Sequence, residues 1–119
     1  MLAAVTFDPL FKVRCEPRED AVILIASGEI DLATSPQLRA ELLKPEAEAP
    51  MVILDLRQVS FIDSSGLGVI VGQQKRCQEE RRSFVIAVDR TSPVQRILDL
   101  SGLIKILDVV DDPAQRLPL

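Results

Sequence analysis

Residues 63–66, Asp-Ser-Ser-Gly, combine a carboxylate and two hydroxyl groups where an apolar strand pattern gives way to a helical one. A helix N-terminus has free backbone N–H groups and the positive end of the helix dipole, so it favours negative charge. A phosphate on Ser64 would therefore occupy a position that accepts an anion. The same residues also fit a structural role, in which Asp63 or Ser64 only caps the helix. Gly66 and Gly68 would let a partner approach the backbone closely, or would simply relieve crowding at a tight turn.

The helix predicted over residues 63–80 should turn one apolar stripe towards the core. Helical spacing assigns to that stripe Leu67, Ile70, Val71, Gln74 and Cys77. The outward face would then carry Ser65, Gly68, Val69, Gly72 and Arg76. We expect the exposed Val69, flanked by two glycines and close to Ser64, to form a small apolar docking surface, unless a neighbouring loop covers it.

Enzymatic chemistry is not expected from these residues. The chain has no histidine, which excludes a His-dependent triad and a His-ligated metal, and its two cysteines lack metal-ligand spacing. Lys75, the nearest base for Ser64, lies about three turns further along the same predicted helix. We therefore predict a protein that is not an enzyme and holds no metal or cofactor. Weak nucleotide binding near Asp31 stays open, although the usual Gly-rich phosphate loop is missing.

The composition is typical of one small domain over residues 1–119. Hydrophobic residues make up 47% and aromatic residues 3%, so the core must be aliphatic. The net charge of −4 disfavours nucleic acid or an anionic membrane as the main partner. We see neither a signal peptide nor an apolar run of ~18 residues, and we expect a cytoplasmic protein that is monomeric when free. Cys15 and Cys77 are expected to be buried free thiols, with a redox bridge as the alternative.

Strand and helix patterns alternate along the chain, as in α/β domains with parallel strands. Strands are predicted over residues 12–16, 21–27, 51–56, 83–89 and 103–110. Helices are predicted over residues 34–45, 63–80 and 92–102, and a short helical stub at 111–113. The remaining segments are an irregular lead-in at 1–10 and connectors at 28–31 and 57–61. The first two strands are joined by a short turn and should be antiparallel. We therefore predict an α/β fold with a mixed four- to five-stranded sheet and three to four α-helices.

Three motifs in the chain resemble those of a known bacterial family. The segment FIDSSGLGVIVG, preceded by VILDLRQV, closely resembles the core motif of the STAS-domain anti-sigma-factor antagonists. Residues 28–31, Gly-Glu-Ile-Asp, look like the Gly-Glu-Leu-Asp turn of that family. Residues 92–103, SPVQRILDLSGL, look like its penultimate helix and Ser-Gly-Leu exit. The resemblance covers roughly residues 12–110 and implies the STAS fold.

The resemblance also implies a function. In such proteins the serine after the motif aspartate, here Ser64, is phosphorylated by a partner that is both serine kinase and anti-sigma factor. The unphosphorylated antagonist binds this partner and frees the sigma factor, phosphorylation ends the binding, and a PP2C-type phosphatase restores it. Asp31 matches a family position that supports partner or nucleotide contact, although it could equally cap the following helix. We expect the contact surface to include Asp31, Asp63, Ser65, Gly66, Gly68, Val69 and Gly72. The alternative is a STAS scaffold or adaptor of a stress-signalling or lipid-transport complex, without a phosphorylation switch.

Overall fold

A computed structural model describes residues 10–117 as a five-stranded sheet with three α-helices. The strands are β1 (Lys12–Arg18), β2 (Ala21–Ile30), β3 (Met51–Ile62), β4 (Ser83–Ala87) and β5 (Asp108–Val110). They lie side by side in chain order; β1 is antiparallel to β2, and the remaining neighbours are parallel. The predicted mixed α/β sheet is therefore confirmed. Residues 1–9 of the predicted lead-in lie outside the described residues.

All three helices contribute to the core on one face of the sheet. They are α1 (Ser35–Leu42), α2 (Ser64–Glu79) and α3 (Pro93–Ser101). Their apolar sides meet alternate residues of the strands, such as Leu24, Leu54 and Ile86, in an aliphatic core. The predicted ends of α3 are confirmed, because the Ser92 hydroxyl accepts the N–H of Gln95 and Gly102 ends the helix with a φ of 78°. Within residues 10–117, no helix has the length and apolar character needed to cross a membrane.

The opposite face of the sheet carries a smaller apolar cluster. Ile23, Ile53 and Val85 belong to it, and Leu117 of the C-terminal segment packs against them. Two residues after Ile53, on the same face, the buried carboxylate of Asp55 accepts hydrogen bonds from the guanidinium of Arg57. Alternate residues of the central strands therefore face opposite sides of the sheet, and each side packs against its own apolar cluster. This explains why the central strands are apolar on both sides.

β2 and β3 are longer than predicted. The sequence indicated connectors over residues 28–31 and 57–61, which was wrong, because the two strands stay paired as far as Ile30 and Ile62. Gly28 makes the extension of β2 possible. Its φ of 103° is strained for any other residue, and a Cβ there would overlap the carbonyl of Leu10. The pairing shifts its register between Gly28 and Glu29, as at a β-bulge.

Two smaller expectations fail at the edges of the sheet. β5 begins only at Asp108, because Leu103–Lys105 forms a short 3-10 turn instead of the start of a strand. Cys15 is exposed, since β1 is an edge strand, whereas Cys77 is buried in the core as expected. Both cysteines are free thiols.

Candidate functional site

The ends of β2 and β3 bring the predicted site residues together. Ile30 and Ile62 are register partners in the parallel pair, so Asp31 and Asp63 leave the sheet from neighbouring strands. The backbone N–H of Asp63 also donates to the carbonyl of Ile30 at 3.0 Å. The start of α2 is therefore held by both strands, which positions Ser64 beside the turn that contains Asp31.

Asp63 is the N-cap of α2. Its carboxylate accepts the backbone N–H groups of Ser65 at 2.9 Å and Gly66 at 3.2 Å, and also the hydroxyl of Ser65. The hydrogen bond from the Ser65 hydroxyl, followed by those from the backbone of Gly66, Ser65 and Leu32, lowers the pKa of Asp63 below its ordinary value. The capping role that the sequence left open between Asp63 and Ser64 therefore belongs to Asp63.

The two serines after Asp63 differ in what their hydroxyl groups do. Ser65 is half-buried and donates its hydroxyl hydrogen to Asp63. Ser64 is exposed, and its side chain makes no hydrogen bond with any residue in the described part of the chain. As the first residue of α2, Ser64 presents a free hydroxyl at the positive end of the helix.

Asp31 organises the turn that precedes α1. Its carboxylate accepts the backbone N–H groups of Ala33 at 2.9 Å and Thr34 at 3.0 Å, and its own carbonyl accepts the N–H of Ser35. The hydroxyl of Thr34 donates to the carbonyl of Glu29 at 2.8 Å, which closes the turn. Asp31 thus has the structural role that the sequence offered as one alternative, and contact with a partner or a nucleotide remains a hypothesis.

The glycines of α2 serve two different purposes. Gly66 is buried, and a Cβ there would lie 2.6 Å from side-chain carbons of both Ile30 and Ile62. Its lack of a side chain therefore lets α2 approach the two strand ends, which is the crowding role that the sequence offered as one alternative, and contact of a partner with Gly66 stays a prediction. Gly68 and Gly72 fit the predicted outward face, because a Cβ at either position would meet nothing within 4 Å.

The inward face of α2 is rotated from the predicted one. Its buried residues are Gly66, Val69, Ile70, Gln73 and Cys77. Val69 is only 6% exposed, whereas Val71 is 39% exposed, so the expectation of an exposed Val69 and an inward Val71 was wrong. The reason is tertiary: α2 packs against α1 as well as against the sheet, and Val69 and Gln73 line the space between the two helices.

Sequence reasoning missed two apolar side chains near Ser64. Leu32 is 79% exposed in the turn before α1, and Phe61 is 45% exposed two residues before Asp63. The backbone of Leu32 also contributes to the low pKa of Asp63, so this turn adjoins the start of α2. A large apolar residue in the short turn between Asp31 and Thr34 was the available signal for Leu32. No such signal marked Phe61, because its exposure depends on the extended β3.

Residues 10–117 contain no group of three or more His, Cys, Asp or Glu side chains arranged to hold a metal ion. The acidic side chains at the site are instead engaged with backbone N–H groups, as described for Asp31 and Asp63. The chemistry available at this edge of the sheet is therefore that of an exposed hydroxyl group beside apolar side chains.

Comparison with known proteins gives a consistent result. The family model described as the STAS domain matches residues 12–115. The chain is 32% identical over 108 residues to an anti-sigma F factor antagonist of Paenibacillus polymyxa, and the alignment covers 89% of this chain and 92% of that protein.

Two solved structures are similar in fold. An anti-sigma factor antagonist from Mycobacterium paratuberculosis superposes with a TM-score of 0.79 at 21% identity, covering 97% of this chain and 94% of that one. The Bacillus cell fate determinant SpoIIAA in its phosphorylated form superposes with a TM-score of 0.61 at 22% identity, covering 84% and 90%. At these identities the structural likeness concerns the fold.

Proposed function

Because the chain belongs to the STAS domain family, we propose that it is an anti-sigma factor antagonist whose binding is switched off by phosphorylation of Ser64. In its unphosphorylated form it binds an anti-sigma factor that is also a serine kinase, and sigma factor is released. The name of the Paenibacillus relative and the share of both chains that is aligned support this assignment.

The observation that carries the proposal is the difference between the two serines. The hydroxyl of Ser64 is exposed at the start of α2, whereas that of Ser65 is bonded to Asp63. A hydroxyl group that makes no hydrogen bond within its own protein can enter a kinase active site without the cost of losing one. Ser64 meets that condition, and it occupies the position after the motif aspartate.

The local electrostatics explain how a phosphate would act on a partner. The sequence suggested that the start of α2 would accept an anion at Ser64, but Asp63 already accepts the N–H groups of Ser65 and Gly66 there. A phosphate on Ser64 would therefore find little free backbone to neutralise its charge of about −1.5 to −2. The charge would instead face the partner. At ~5 Å from a partner carboxylate and an effective dielectric constant of ~20, each charge pair costs roughly 3 kcal/mol. A loss of about 2.7 kcal/mol is a hundredfold loss of affinity, so no conformational change is required.

The remaining parts of the proposal follow from this role. The protein is a binding component rather than an enzyme, it is monomeric when free, and it acts in the cytoplasm. The anti-sigma kinase adds the phosphate to Ser64, and a PP2C-type phosphatase removes it.

The experiment that tests the proposal is an affinity capture from lysate of the native organism. Wild type and Ser64→Asp serve as baits, Ser65→Ala serves as a matched serine control, and the retained proteins are identified by mass spectrometry. We expect wild type and Ser65→Ala to retain an ATP-binding anti-sigma kinase and Ser64→Asp to lose it.

The opposite result would change the assignment. Retention of the same partners by wild type and Ser64→Asp, or retention of no kinase by either, would contradict the phosphorylation switch. The domain would then be better described as a scaffold or adaptor of a larger complex.

A further inference from the structure

A groove runs between α1 and α2 and begins beside the phosphoacceptor. Its deeper part encloses about 140 Å³, and a shallower part continues it to the start of α2. The residues that define this α1/α2 groove are Arg39, Leu43, Ser65, Val69, Gly72 and Arg76. Since Ser65 lines the shallow end, the groove opens next to Ser64.

Apolar residues form the floor of the groove and one of its margins. Val69 forms part of the floor, and Leu43, which ends α1, is 51% exposed at its margin. Gly72 leaves a gap in the wall, because a Cβ at this position would meet nothing within 4 Å. An apolar side chain from outside could therefore be buried between Leu43 and Val69 without displacing any part of the chain.

The charges along the groove have one sign. Among the described residues, the two ionisable side chains that line it are both arginines, although the chain as a whole has a net charge of −4. Arg76 forms ion pairs with Glu48 and Glu80, so its guanidinium is less available to a partner. Arg39 is exposed and makes no ion pair with any residue of the described range 10–117. The groove therefore offers one available guanidinium beside an apolar recess.

We propose that the α1/α2 groove binds an acidic, amphipathic segment of the anti-sigma partner, with an apolar side chain between Leu43 and Val69 and a carboxylate paired with Arg39. This inference rests on the proposed function. The acidic segment would supply the negative charge of the partner that a phosphate on Ser64 repels, because the shallow end of the groove lies next to Ser64. Phosphorylation would then act on the acidic segment directly, through repulsion at the shallow end of the groove.

The test uses the anti-sigma kinase retained by the wild-type protein, purified and titrated against variants of the full chain by calorimetry. Arg39→Glu should weaken binding by about a hundredfold, since it replaces an attraction with a repulsion. Arg81→Glu is the matched control. Arg81 is also exposed and without an ion pair in the described chain, but it follows the far end of α2, so its reversal should change the affinity less than about twofold. Thermal unfolding of each variant checks that the fold is retained.

The dependence of the affinity on salt concentration is a second measurement, and it would not change if Arg39 had only a structural role. Wild-type affinity should fall as the salt concentration rises from about 50 to about 500 mM, and Arg39→Ala should show a shallower dependence. Equal salt dependence of wild type and Arg39→Ala would overturn the proposed pairing.

The outcomes separate this inference from the proposed function. If wild type binds the kinase, Ser64→Asp does not, and Arg39→Glu binds like wild type, the groove proposal is wrong and the phosphorylation switch stands. If wild type fails to bind any anti-sigma kinase, the proposed function fails and the groove proposal fails with it. A concentration-dependent dimer in analytical ultracentrifugation that Arg39→Glu dissociates would assign the groove to a second copy of this chain instead.

Discussion

The hydroxyl of Ser65 donates a hydrogen bond to the carboxylate of Asp63, and the side chain of Ser64 between them makes none within the described residues. One carboxylate therefore does two things at the start of α2. It accepts hydrogen bonds from backbone N–H groups that the helix leaves free, and it also accepts the Ser65 hydroxyl, so that of these two serines it is Ser64 whose hydroxyl makes no hydrogen bond with a described residue. Helix capping by Asp63 and the proposed phosphorylation of Ser64 are therefore compatible, because the same contacts cap α2 and leave the Ser64 hydroxyl exposed.

Asp63→Ala should lower the free energy of unfolding by about 1 kcal/mol, because it removes the N-cap of α2. Ser64→Ala is the control and should change stability little, since the Ser64 side chain caps nothing. Urea denaturation followed by circular dichroism measures both. If Ser64→Ala lost as much stability as Asp63→Ala, the assignment of the N-cap to Asp63 would be wrong.

The contribution of Asp63 should also depend on pH. Its pKa in the folded protein lies below the ordinary value of 3.8, so its stabilising effect is complete above that value and is lost as pH falls through the folded pKa. Asp63→Asn keeps a capping oxygen but removes the charge. The stability difference between wild type and Asp63→Asn should therefore be largest near neutral pH and shrink in acid; a constant difference would contradict the assigned origin of the shift.

Gly66→Ala and Gly68→Ala form a matched pair two residues apart on α2. A Cβ at Gly66 would lie 2.6 Å from Ile30 and Ile62, so this variant should lose about 1–3 kcal/mol of stability. At Gly68 a Cβ would meet nothing within 4 Å, and the better helix propensity of alanine should add about 0.5–1 kcal/mol. Thermal unfolding distinguishes the two, and equal effects would show that α2 does not approach the strand ends as described.

Gly72→Arg should abolish binding of the anti-sigma kinase while leaving thermal stability nearly unchanged. The position is exposed and open, so the fold can accommodate the side chain, but its bulk would block the α1/α2 groove. Gly72→Ala is the size control and should bind normally. If Gly72→Arg loses binding and stability together, Gly72 belongs to the core rather than to a docking surface.

The sequence was informative where structure is decided by neighbouring residues. Ser92 and Gly102 marked the ends of α3 correctly, because a side-chain cap and a left-handed glycine act within one helical turn. Val69 and the second half of β3 could not be predicted in this way. Burial of Val69 depends on the packing of α1 against α2, and Phe61 is in a strand only because Glu29 pairs with it across the sheet. Such contacts join residues about thirty positions apart, which local patterns do not report.

The two cysteines should react very differently in the native protein. Cys15 is exposed on β1, whereas Cys77 is 1% exposed in the core. Partial burial, followed by the charges of Glu46 and Glu41, raises the pKa of the Cys15 thiol, so it should react with iodoacetamide more slowly than a free thiol at neutral pH. Peptide mass spectrometry should find label on Cys15 alone before unfolding and on both afterwards. Native labelling of Cys77 would contradict its burial.

Arg57→Ala should destabilise the protein far more than the loss of an exposed ion pair. The carboxylate of Asp55 is 2% exposed and depends on the guanidinium of Arg57, which contacts it at 2.8 and 3.0 Å. Removal of one partner leaves a buried charge uncompensated, which costs about 1–3 kcal/mol or more.

Arg116→Ala is the matched control for this prediction. Arg116 contacts Asp108 at 2.8 Å, but both side chains are about 40% exposed, so its loss should cost less than about 1 kcal/mol. The double variant Arg57→Ala with Asp55→Asn should recover part of the loss, because the unpaired charge is then absent. Chemical denaturation of the four proteins measures these differences. Equal costs for the two arginines would mean that water reaches Asp55, and that the second face of the sheet is less closed than the structure indicates.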